Sequence, residues 1–253
     1  MKKYIRPLDM KNLKENDLIQ KVKSAWGDCY TIYYIFNVSK EIDWVLMYEN
    51  LASTLGEIRT CHPVNNKETK FSKSRDIKYE AGVNHYFASN IRQPLHNDYA
   101  YYESSQAPDW LMLYCLEKPD FGGKTHILSL KTLVKILNSY NPELLEKIKI
   151  DVTWKYNGQD GDKIHKKPIY NGQFINWNYW QINHNLNDKA VVEVKEEFFS
   201  FLENVIVGGS MYDHSVDWAE GDCIIFNDKV NLHCRDAFLG NRWLKDHAFF
   251  GQT

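Results

Sequence analysis

"WAEGDCIIFNDKVNLHCRDAF", Trp218 to Phe238, is the stretch on which the fold turns. A Gly221-Asp222 turn leads into the apolar run 223–226. A short polar connection follows, and then a second run that carries His233. Short apolar runs separated by turn residues read as β-strands. A lone histidine on such a strand is ordinarily a satisfied core residue, so His233 gains meaning only in company.

The company lies upstream. "RQPLHNDYAYYESS", Arg92 to Ser105, sets His96 and Asp98 two residues apart beside a cluster of tyrosines. In an extended chain, residues i and i+2 point to one face, so an imidazole and a carboxylate stand side by side. With His233 they make two imidazoles and one carboxylate, a set that leaves coordination positions open and suits non-haem Fe(II) chemistry with oxygen. Two more features join them. In "FGGKTHILSL" (121–130), Gly122 and Gly123 allow a tight turn into a strand with Thr125 early in it. In "GNRWLKD" (240–246), a hairpin from the His233 strand would bring Arg242 alongside, where a guanidinium grips a carboxylate as a fork. Like most arginines, Arg242 is expected to reach the surface.

The rest of the chain supplies a frame. Segments 13–26, 39–56, 130–140, 141–149 and 190–206 read as helices, with Ser39 as the expected N-cap of the second and Pro142 at the first turn of the fourth. Segments 29–38, 56–61, 86–102, 109–118, 124–130, 150–156, 167–172, 173–180, 221–228, 230–238 and 244–252 read as strands or β-rich stretches. Helices first, then strands interrupted by a helical insert around 130–205, predict a single β-rich mixed α/β domain over 1–253: a sandwich or barrel buttressed by helices.

Composition narrows the function. The 253 residues are 43% hydrophobic and 25% charged, those of an ordinary globular protein. The net charge of −2 implies no basic face, which argues against a nucleic-acid partner. The basic start lacks an apolar run to follow it, and no apolar cluster is long enough to span a bilayer. Five scattered cysteines without a C-x-x-C fit reduced thiols in a cytoplasm and no structural zinc site. The 8 Trp and 16 Tyr suit strands, a bulky core or a deep pocket.

The order His96-x-Asp98, then "GGKT", then "W-x-x-GD", then His233 and Arg242, resembles the TauD/TfdA family of Fe(II)/2-oxoglutarate-dependent dioxygenases over roughly Arg92 to Thr253. The resemblance implies a double-stranded β-helix, a distorted jelly roll related to the cupins. It implies His96, Asp98 and His233 as iron ligands, with Thr125 and Arg242 on the distal carboxylate of 2-oxoglutarate. O2 would be the oxidant, and an unactivated C–H would be hydroxylated or desaturated with release of succinate and CO2. Asp98 retains the carboxylate that halogenases of the superfamily replace with a small residue.

Two departures stand out. Many members carry a second arginine four residues after the first, where this chain has Asp246, with Lys245 and His247 beside it. The spacing from His233 to Arg242 is also shorter than in many members. Tyr99, Tyr101, Tyr102, Asn176, Trp177 and Tyr179 are the candidates for the substrate side, although packing of the sandwich would use the same aromatics. A small polar metabolite is expected: an amino acid, an amine or a natural-product intermediate. "HNDYAYY" with the following "PDW" is similar to members acting on isonitrile-bearing amino acids, and the terminal "FFGQT" is similar to carbapenem synthase. The alternatives are a metal-binding jelly roll without turnover and a nucleic-acid demethylase of the same superfamily. A carboxylate clamp argues against the first and the net charge against the second.

Overall fold

A computed structural model of the chain describes residues 4–60, 72–80, 88–103, 105–158 and 161–251. The first half runs β1 (Ile5–Asp9), α1 (Glu15–Ala25), β2 (Ile32–Phe36), α2 (Trp44–Leu55), β3 (Gly56–Ile58), β4 (Arg75–Lys78), β5 (Gln93–His96) and β6 (Trp110–Glu117). Then come β7 (Phe121–Gly122), β8 (Thr125–Ser129), α3 (Leu130–Tyr140), α4 (Pro142–Lys147), β9 (Asp151–Gly158) and β10 (Gly161–Pro168). Last are α5 (Lys189–Phe201), β11 (His214–Val216), β12 (Cys223–Asn227), β13 (Asn231–Arg235), β14 (Phe238–Leu239) and β15 (Trp243–Gly251).

Two sheets carry the fold. The larger has the order β1-β2-β12-β6-β15-β3, with β4 also paired to β15. The smaller has the order β11-β8-β13-β5. Apart from the parallel β1–β2 pair, the pairings are antiparallel. This is the β-rich mixed architecture of a double-stranded β-helix.

The period of two along each strand sorts side chains into layers. On β12, Cys223 and Ile225 face α1 and α2, where Leu18, Val22, Met47 and Leu51 close a core on the outside of the large sheet. Ile224 and Phe226 point the other way and meet Leu111, Leu113, Ile127 and Leu244 between the sheets. On β13, Leu232 and Cys234 pack outward under α3 and α5, against Leu133, Leu137 and Phe198. Asn231, His233 and Arg235 must therefore face the space between the sheets. The same parity on β15 puts Leu244 and Ala248 inside, and with them Arg242 and Asp246.

Local signals were mostly sufficient. Helices α3 and α4 fall where expected, and Asn141 caps α4 through its side chain with Pro142 in the first turn. Helix α2 is capped by Asp43, not Ser39. The Asp43 carboxylate accepts from the backbone of Val45 and Leu46, whereas the Ser39 hydroxyl closes a turn at Glu41. Gly56 does end α2, because a Cβ there would lie 1.9 Å from the Phe250 carbonyl oxygen on β15. Segment 173–180 is a connection ending in a 3-10 turn (Tyr179–Gln181), not a strand. Strand β1 was not anticipated. Cys61 lies outside the described residues; Cys29, Cys115, Cys223 and Cys234 are free thiols. No described helix is long and apolar enough to cross a membrane.

Candidate active site

His96 and His233 are register partners on β5 and β13, so interstrand spacing sets their separation, and their ring centroids lie 4.2 Å apart. Asp98 is not on the strand. Strand β5 ends at His96, and Asp98 sits in the turn that follows. Asn97 fixes that turn. Its side chain donates to the carbonyls of Asp228 and Asn231 and accepts from the Trp177 amide, while its own amide donates to the Trp177 carbonyl. The carboxylate thus arrives beside the imidazoles through a locked turn and not through strand parity.

His96 Nε2 lies 3.2 Å from Asp98 Oδ1, and His233 Nε2 lies 3.6 Å from the same oxygen. The three ligand atoms fall within 4.8 Å of one another. Protons are spoken for elsewhere. His96 Nδ1 is 2.8 Å from the Pro94 carbonyl, which can only accept, so Nδ1 carries a hydrogen. Nε2 of His96 then carries the lone pair, with the Gln93 side-chain amide at 3.0 Å and the Asp98 carboxylate beside it, and a cation between the ring and the carboxylate would draw on both. On His233, burial and then the neighbouring His96 push the pKa down to about 3, which favours the neutral, ligating form. Burial alone would raise the Asp98 carboxyl. The adjacent His96 and the Arg75 guanidinium outweigh it and hold Asp98 well below the usual carboxylate range.

Two supporting groups had no reading in the sequence. Asp228, in the turn between β12 and β13, accepts through Oδ2 from the amides of Asp98 (3.0 Å) and Tyr99 (3.4 Å). Its Oδ1 lies 3.6 Å from His233 Nδ1, and both of those atoms are buried without a hydrogen-bond partner. Burial and the adjacent Asp98 carboxylate push Asp228 upward. Metal-bound histidines ordinarily direct the second ring nitrogen at such a carboxylate. Asp228 lies five positions before His233 in the sequence, a spacing that could have flagged it. The other group is Arg75 on β4, which donates to Asp98 Oδ2 at 2.8 Å and pairs with Asp246.

Thr125 is buried at the start of β8 as the register partner of Arg235, two residues along β13 from His233. That is a rise of about 6.6 Å. Its hydroxyl accepts from the indole of Trp218 at 3.0 Å. Arg242 does not reach the surface: it is 3% exposed, packed by Phe238 and by Gly123, where a Cβ would lie 3.2 Å from Arg242 Cδ. Gly122 and Gly123 are both in the left-handed region, and a Cβ on Gly122 would meet the Ala237 carbonyl at 2.2 Å, so the GG pair is needed to seat this turn. No carboxylate pairs with Arg242 among the described residues, and its Nε has no hydrogen-bond partner. Burial, then the neighbouring Arg235, lowers its pKa to about 9. A buried, uncompensated guanidinium is an anion site.

The substrate-side candidates divide. Tyr99 and Tyr102 lie under the Arg59 guanidinium, at 5.0 and 3.9 Å, and Tyr101 packs on Tyr102 with centroids 4.5 Å apart. Asn176 accepts from Lys167 at 3.1 Å and, with Asn97, Tyr99 and Phe174, lines a cleft beside Asp98. Trp177 is fully buried and packs edge-on against Phe198, with Tyr179 at its edge. Two other cations nearby are engaged elsewhere: Arg235 donates to the Ser89 and Ile91 carbonyls, and Lys245 pairs with Asp76. His247 faces Tyr114, away from the interior.

The chain is similar to several known proteins. The chain is 27% identical over 188 residues to 3-((Z)-2-isocyanoethenyl)-1H-indole synthase of Fischerella ambigua (strain UTEX 1903), covering 68% of this chain and 67% of that protein. It superposes on asparagine oxygenase in complex with Fe(II), 2S,3S-3-hydroxyasparagine and succinate with a TM-score of 0.65 at 12% identity, over 93% of this chain and 78% of that one. It superposes on the non-haem iron oxygenase OrfP with Fe, succinate and (3S)-hydroxy-L-Arg with a TM-score of 0.67 at 11% identity, over 98% and 95% of the two chains. The sequence model of the family described as taurine catabolism dioxygenase TauD, TfdA matches residues 47–246. With the two-sheet fold, the inward histidine pair and this match over most of its length, the chain belongs to the TauD/TfdA family of dioxygenases.

Proposed function

We propose that this chain is one Fe(II)- and 2-oxoglutarate-dependent oxygenase unit that hydroxylates or desaturates an unactivated C–H of a small polar metabolite. The observation that carries the reading is the convergence of His96 Nε2, His233 Nε2 and Asp98 Oδ1 within 4.8 Å of one another, with the His96 proton held on Nδ1 by the Pro94 carbonyl. Fe(II), with 2-oxoglutarate and O2, supplies the oxidising chemistry when bound. His96, His233 and Asp98 hold the metal. Asp228 keeps His233 oriented from behind, and Arg242 with Thr125 receives the distal carboxylate of the cosubstrate. A short diacid suits a metal centre and a hydroxyl, that of Thr125, separated by two residues of strand. Tyr99 and Asn176, which line the cleft behind the Asp98 turn, orient the substrate, with Tyr101 and Tyr102 packed beside Tyr99 and Trp177 supporting them from the core. A relative named as the synthase of an isocyanoethenyl indole, and fold neighbours in complex with hydroxylated asparagine or arginine, support an amino acid or a derivative of one as substrate.

The test is anaerobic reconstitution with Fe(II) and 2-oxoglutarate, read by the visible charge-transfer band, followed by a metabolite screen for substrate-stimulated succinate release. No band, and no succinate with any amino acid or derivative, would leave a metal-binding protein without turnover. Asp98→Ala sharpens the test. It removes the ligand but leaves Arg75 facing the vacated space, so added formate is expected to restore part of the lost metal binding. Full turnover by Asp98→Ala without an added carboxylate would exclude Asp98 as a ligand.

A further inference from the structure

The two oxygens of Asp98 have different partners. Oδ1 faces the histidine nitrogens, while Oδ2 accepts from Arg75 Nη2 at 2.8 Å. Arg75 is itself held in place. Asp246, its register partner on β15, is 1% exposed. Asp246 accepts from Arg75 Nε at 3.2 and 2.9 Å, from Nη2, and from the Arg75 amide at 3.0 Å. One terminal nitrogen therefore bridges two carboxylates. Burial opposes the charge on Arg75, but Asp246, Tyr99 and Asp98 overcome it and fix the guanidinium as a cation. Asp246 also occupies the position where many members carry a second arginine. Here the cation reaches the interior from the neighbouring strand, and β15 supplies the anion that anchors it.

We propose that Arg75, anchored by Asp246, is a positioning residue that withholds Oδ2 of Asp98 from the metal, so that the carboxylate binds through Oδ1 alone and a coordination position stays open. The argument rests on the metal-site reading above. A carboxylate with both oxygens free can close on a cation as a chelate. An oxygen engaged by a charge-assisted bond from an anchored guanidinium cannot do so without losing that bond. A guanidinium, unlike an ammonium, has the planar array of donors needed to serve both carboxylates at once.

The experiment is titration of the metal-free chain with Co(II), reading both affinity and the d–d absorption spectrum, in wild type, Arg75→Met, Arg75→Lys, Asp246→Asn and His233→Ala. Arg75→Met is expected to weaken Co(II) by roughly 10- to 100-fold, the usual cost of losing an outer-shell partner. Its spectrum should also weaken in intensity, as coordination number rises. Arg75→Lys keeps the charge but spans only one carboxylate, so it should show the same spectral change with a smaller loss of affinity. Asp246→Asn should shift both readouts in the same direction. If Arg75→Met does not fold, Arg75→Lys is judged by the same two readouts. A folded Arg75 variant with wild-type affinity and a wild-type spectrum, even with a lowered melting midpoint, overturns the proposal and leaves Arg75 a structural cation. Equal Co(II) binding by wild type and His233→Ala overturns the metal site itself, a different failure that removes the basis of the proposal.

Discussion

His96→Ala and His233→Ala are each expected to abolish Fe(II)-dependent turnover and to lose metal affinity by more than the roughly 100-fold that an outer-shell partner costs. Each histidine supplies one of three donors, and two donors do not fix a divalent cation against water. Folding should survive both changes. Neither imidazole belongs to the apolar clusters that close the layers, and truncation removes a polar ring from a buried space. Of the pair, His233 should be the more sensitive to its surroundings, since its strand is flanked by β8 and β5, whereas β5 is the edge of the small sheet. The measurements are metal content after gel filtration and succinate release. Near-normal metal content in either variant would remove that residue from the ligand set.

Arg242→Met separates binding from stability. A cosubstrate carboxylate left without its guanidinium loses about 2–5 kcal/mol, roughly 30- to several-thousand-fold in 2-oxoglutarate affinity at about 1.4 kcal/mol per decade. The metal-free, ligand-free protein should respond in the opposite way. Arg242 is buried without an anionic partner among the described residues, so its desolvation is uncompensated until a ligand arrives. An apolar chain of similar length against Phe238 should raise the melting midpoint. Arg242→Lys should recover only part of the affinity, because an ammonium cannot make the fork. Calorimetry under argon with Fe(II) gives the first quantity and thermal unfolding the second. Unchanged 2-oxoglutarate affinity in folded Arg242→Met would move the clamp to another cation.

What could be read from the sequence was local or patterned. Helices α3 and α4 declare themselves by period and caps, and β12 and β13 by apolar runs around a polar turn. The candidate ligand set and clamp came only as a resemblance in order and spacing. What could not be read depends on partners distant in the chain. Strand β1 is interrupted by Arg6 and Pro7 and is held by parallel pairing to β2, so no local pattern announces it. Ser39 and Asp43 are both good caps, and only the tertiary path chooses between them. The aromatic and asparagine content of 173–180 imitates a strand, yet its backbone is spent on Asn97, Lys229 and Ile169. Arg75 has a role only through a strand pairing with Asp246, 171 residues away. The burial of Arg242, just before β15, follows from its packing against Phe238 and Gly123, which overrides the usual preference of arginine for water.

Side-chain parity makes β15 a strand with two unlike edges of meaning. Arg242, Leu244, Asp246 and Ala248 look inward, while Lys245 and His247 do not. Sliding the strand by one residue would exchange every member of the first set for the second. The anion anchoring Arg75 would leave the interior, and a lysine and a histidine would replace it beside the metal ligands. The number of residues between His233 and Arg242 is therefore a heritable constraint in its own right. Within lineages of this enzyme, insertions and deletions in the 236–241 turn should be purged more strictly than substitutions there, and a surviving change in length should come in pairs that restore the phase.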